Sequence, residues 1–63
     1  MKFLLEINLE NDAFSEHGGY ELGRILSRTG SRFAGHADLM ESKDNLGSIH
    51  DRNGNSVGFW TFQ

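Results

Sequence analysis

The chain has 63 residues, no cysteine, no proline and a net charge of −3. That length allows one domain, 1–63, with a thin core, and without cysteine there is neither a disulfide framework nor a thiolate zinc site. The longest apolar run, Phe3-Leu4-Leu5, falls far short of the roughly 20 residues that span a bilayer. A secretory h-region is also missing, so no membrane association and a cytoplasmic location are expected. Met1 leading directly into a strand pattern is the expectation for a small complete gene product.

Residues 2–10 alternate, with Phe3, Leu5, Ile7 and Leu9 on one side and Lys2, Leu4, Glu6, Asn8 and Glu10 on the other. That period of two predicts a half-buried strand. Asn11-Asp12 breaks it, and Phe14 is expected to plug the edge of the core. Residues 15–19 read as a loop leading into a helix. Leu22, Ile25, Leu26, Thr29 and Phe33 then recur at spacings of three and four, the period of an amphipathic helix ending at Gly35. Arg24, Arg28 and Arg32 form one row at i, i+4 and i+8, and Glu21 stands three residues before Arg24, within pairing reach. Gly23 and Gly30 weaken a helix interior; close approach to a sheet would explain them.

Residues 36–47 carry the weakest pattern, one helical turn around Leu39-Met40 or a long loop. Residues 48–62 read as a hairpin around Asn53-Gly54. A two-residue turn pairs Arg52 with Asn55, His50 with Val57 and Ile49 with Gly58, and buries Trp60 and Phe62. A three-residue loop with a glycine bulge pairs Ile49 with Val57 and turns Phe59 inward instead. The two-residue turn is the expectation, with Gly58 leaving room for the helix. The order strand, helix, strand, strand gives an α+β fold of topology β-α-β-β. Its three-stranded antiparallel sheet has order 1-3-2, with the helix on one face.

Charge is segregated. Residues 1–21 carry −4, 22–37 carry +3, 38–51 carry −3 and 52–63 carry +1. His17, His36 and His50 lack metal-ligand spacing, so no metal is expected. Ser48 and His50 share a strand face from which Asp51 points away, which spoils a triad. So small a sheet also has little room for a ligand pocket. An enzyme and a cofactor are therefore not expected. An acidic chain is a poor default ligand for nucleic acid, and the bland reading of the arginine row is that it pairs with acids of the neighbouring loops. The favoured surface is acidic and protein-binding. Glu6, Glu10, Asp12 and Glu16 lie on and beyond the first strand, and Asp38, Glu41 and Asp44 in the later loop. Outward Leu4 and Phe59 would be apolar anchors within the charged rim. The same Leu4/Phe59 face, or a free sheet edge, is where two copies would pair as a homodimer.

The opening residues 1–14, the ending 47–60 and the intervening Glu21-Leu22-Gly23-Arg24-Ile25-Leu26 together resemble small proteins carried by bacteriophages and integrated mobile elements. Short acidic products of this kind include anti-CRISPR proteins. The resemblance implies a stoichiometric inhibitor that blocks DNA binding by a host protein, a type I CRISPR effector (Cascade) subunit, through its acidic surface. No catalytic residue carries over. The alternative is a small nucleic-acid-binding or regulatory phage protein using Arg24, Arg28 and Arg32.

Overall fold

The computed structural model describes residues 1–35 and 45–63. Strand β1 (Phe3–Ile7) is followed by a short 3-10 turn (Asp12–Phe14), helix α1 (Gly18–Ala34), β2 (Leu46–His50) and β3 (Ser56–Phe62). The sheet is antiparallel in the order β1-β3-β2, as the sequence predicts. The expected loop at 36–47 lies mostly outside the described residues, but its last two belong to β2, so that strand begins earlier than expected.

β1 is shorter than its alternation predicts. The Asn8 side chain accepts the backbone N–H of Glu10 at 2.9 Å, an Asx turn that competes with strand pairing. Leu9 therefore lies past the strand and is exposed rather than inward. Asn11 caps the 3-10 turn by accepting the Ala13 N–H at 3.1 Å. That turn buries Ala13 and sets Phe14 against the core, the plug expected of it.

The inner sheet face carries Leu5, Ile7, Ile49, Val57, Trp60 and Phe62, with Ile25 and Phe33 of the helix above them. Trp60 is 2% exposed and central. Its ring lies 5.0 Å from Phe33, 5.9 Å from Phe62 and 6.2 Å from Phe3. Leu26, expected on the buried helix face, is exposed, because one small sheet covers only a narrow stripe of the helix.

The hairpin combines parts of both expected registers. The loop has three residues, Arg52, Asn53 and Gly54, closed by Asp51 N–H donating to the Asn55 carbonyl at 2.9 Å. Gly54 alone in the loop has positive φ, at 83°, so the expected two-residue turn, which needs positive φ at both central positions, does not form. Asp51 selects the longer loop. Its buried carboxylate accepts the N–H groups of Asn53 and Asn55, each at 2.9 Å. His50 consequently faces Ser56, not Val57. A bulge at Val57 then restores Ile49 opposite Gly58, so Trp60 faces inward as the preferred register required.

Two glycines are spacers, though not against the helix. A Cβ on Gly58 would collide with the Glu6 carbonyl of β1, and one on Gly47 would enter the Trp60 indole. At Gly23 and Gly30 a Cβ would meet nothing within 4 Å, which overturns the idea that they let the helix approach the sheet.

Candidate functional site

The site is assembled around Glu21. It stands in the first turn of α1, where the helix dipole favours an acid, and is 4% exposed. Arg24 Nε donates to Glu21 Oε1 at 2.7 Å and Arg24 Nη2 to Oε2 at 3.1 Å, a two-pronged, charge-assisted pair. The backbone N–H of Arg52 donates to Oε2 at 2.7 Å. One carboxylate thus pins the start of the helix to the β2–β3 loop. The Arg24 bond holds the Glu21 carboxyl below its ordinary pKa; burial opposes this and the Arg52 N–H assists it. Arg24 is raised in turn, chiefly by the same bond.

That clamp leaves a groove of about 820 Å³ between α1 and the edge strand β2, more room than so small a sheet is expected to offer. Beside it the helix packs its Ile25 and Phe33 onto the inner face, over Trp60 of the central strand. Arg24, Arg28 and Arg32 line one wall, His50, Asp51 and Arg52 the other, and Ile49 and Trp60 the floor. Arg32 lies over the Trp60 ring at 5.4 Å, a cation–π distance. Among the described residues, the two carboxylates near the groove are already engaged, Glu21 by Arg24 and Arg52, and Asp51 by its own loop. Among the described residues the one salt bridge is Glu21–Arg24. The bland expectation, arginines neutralised by neighbouring acids, is met at Arg24. Among the described residues, Arg28 and Arg52 stand across the groove from one another with no carboxylate in a salt bridge to either. Guanidinium groups bind anions through a planar fork of several N–H donors.

The acidic residues are arranged less compactly. Leu4 and Glu6 lie on the outer sheet face, with Glu6 directly opposite Phe59 and Leu4 opposite Thr61. Leu4 is exposed and Phe59 half-buried, so this apolar pair does point outward beside Glu6. Leu46, also opposite Thr61, extends the patch. Glu10, Asp12 and Glu16 are exposed beyond the end of β1, on the loops around the 3-10 turn. Asp38, Glu41 and Asp44 lie outside the described residues. Among the described residues no cluster of three His, Asp or Glu is placed to hold a metal ion, and no helix is long and apolar enough to cross a membrane.

Sequence reasoning found the arginine row but missed Arg52 and His50 as the facing wall. No local pattern signals them, since their position depends on the loop length and the Glu21 clamp. It also missed Tyr20, which stands four residues before Arg24 and is 81% exposed; that spacing was visible.

No protein-family model matches the chain, and neither a curated protein nor a solved structure does.

Proposed function

We propose that the protein is a non-catalytic binding module whose helix–β2 groove takes a polyanion, namely nucleic acid. One observation carries this reading. Arg28 on the helix faces Arg52 across a single groove, while the nearby carboxylates among the described residues, Glu21 and Asp51, are occupied in holding the fold together. Arginine suits phosphate because its planar fork donates several hydrogen bonds at once. The overall charge of −3 weakens long-range attraction, so binding is modest, in the range of nonspecific contacts, a Kd of roughly 10⁻⁴–10⁻⁶ M. Titration of a fluorescent oligonucleotide at low salt, followed by anisotropy, tests it. Wild type binds, and Arg28→Glu weakens binding by tenfold or more. Absence of binding, or an unaffected Arg28→Glu, rejects the groove as the site.

A second reading has its own support. Glu6, Glu10, Asp12 and Glu16 are exposed, and none forms a salt bridge among the described residues. This surface suits a basic groove on a host protein, and with the phage-protein resemblance it supports an inhibitor of a CRISPR effector. Replacement of Glu6, Glu10 and Asp12 by Lys separates the readings. It abolishes effector inhibition under the second and leaves oligonucleotide binding intact or stronger under the first. If cells carrying the protein still restrict a targeted phage across the common CRISPR types, the inhibitor reading loses its basis.

A further inference from the structure

We propose that the ligand of the groove is a single strand of nucleic acid, with one base stacked on Tyr20 and the adjoining phosphates laid between Arg28 of the helix and Arg52 of the facing loop. This deepens the groove reading and rests on it. Tyr20, Arg24, Arg28 and Arg32 are spaced by four residues, so they form one ridge along the helix, each about 6 Å further along the axis. Tyr20 heads that ridge and is 81% exposed, unusual for an aromatic side chain in a domain short of core.

Its ring is also held in place. His17 lies against it at 5.7 Å with the planes 30° apart, and the Tyr20 N–H donates to the His17 carbonyl at 2.9 Å. His17 has left-handed backbone geometry, φ 55° and ψ 38°, the only non-glycine among the described residues with positive φ. The chain turns sharply there and sets both rings at the mouth of the helix. Trp60, the other large ring near the arginines, is buried and closed to a base. A π-face followed by a cationic row is the arrangement by which proteins hold unpaired strands. Bases stacked within a duplex do not offer their faces to Tyr20. A strand lying between the arginine ridge and Arg52 has phosphate contacts on both sides.

The test compares a single-stranded oligonucleotide with a hairpin duplex of the same length by anisotropy, using wild type, Tyr20→Ala, Tyr20→Phe and Arg28→Glu. Tyr20 is exposed, so its variants keep the wild-type melting midpoint. The single strand is preferred by wild type. Tyr20→Ala weakens it about tenfold, within the range for loss of one stacked base, and Tyr20→Phe retains it. The salt dependence of the affinity stays unchanged in Tyr20→Ala, since stacking releases no counterions. Equal or better binding of the duplex, or wild-type affinity in Tyr20→Ala, overturns the stacking proposal; if Arg28→Glu still loses binding, the groove reading stands without it. No binding of either probe by wild type overturns both.

Discussion

Gly58→Ala tests whether the sheet is assembled by close backbone approach. The added Cβ would collide with the carbonyl oxygen of Glu6 and lie within 3.0 Å of the Ile7 Cα. Both are backbone atoms of β1, so no rotamer change relieves the overlap and the β1–β3 ladder must part. Overpacking costs typically about 1–3 kcal/mol, occasionally more, and collision with backbone sets this case at about 3 kcal/mol. A domain of this length has a total stability of about 3–9 kcal/mol, so between a third and all of it is at stake. At about 4–8 °C per kcal/mol, the melting midpoint falls by about 12–24 °C. Thermal melts followed by circular dichroism, with urea titration as a second measure, give the loss directly. A midpoint within about 4 °C of wild type, the effect of 1 kcal/mol or less, would refute the close approach of β1 to Gly58.

Three further outcomes follow from the same geometry. Gly23→Ala and Gly30→Ala, where the methyl meets open space, each stabilise by about 0.5–1 kcal/mol; a lower melting midpoint in either would contradict the open helix face. Trp60→Ala removes the ring on which Phe3, Phe33 and Phe62 converge and costs about 3–5 kcal/mol, which lowers the melting midpoint by about 12–40 °C; a smaller drop in a circular-dichroism melt would contradict its central place in the core. Glu21→Gln tests the clamp through pH: because the folded pKa is lowered from 4.5, the charged Glu21 stabilises above that value and this contribution is lost as pH falls through the folded pKa. The gap in melting midpoint between wild type and Glu21→Gln is therefore widest near neutrality and closes in acid, and a gap independent of pH would dismiss the carboxylate's role.

The first strand and the helix were legible because they rest on local periodicity, Leu5 and Ile7 at period two and Ile25 and Phe33 at helical spacing, and the sheet order because the last strand is the most apolar. The hairpin was half legible. Asn53-Gly54 marks the turn, but its length is decided by the Asp51 carboxylate, and the bulge at Val57 answers to packing in the finished sheet. The glycines show the same division. A glycine's neighbour across a sheet cannot be read along the chain, so Gly58 was assigned to the helix when it makes room for β1, and the purpose of Gly47 under Trp60 passed unseen. Of the groove, the row Arg24-Arg28-Arg32 was visible, whereas Arg52 joins it through a contact 31 residues apart, made by Glu21. The net charge of −3 pointed away from this groove, because a sum over the chain conceals that Glu21 and Asp51 are spent on structure.

The salt dependence of oligonucleotide affinity tests the central claim most directly. If a strand is held by Arg28 and Arg52, with Arg24 largely neutralised by Glu21, log K falls against log salt with a slope of about −1.4, two phosphates at about −0.7 each. Arg28→Glu lowers the affinity and flattens the slope by about 0.7 or more. A slope near zero, or an Arg28→Glu slope equal to that of wild type, would contradict phosphate binding in the groove.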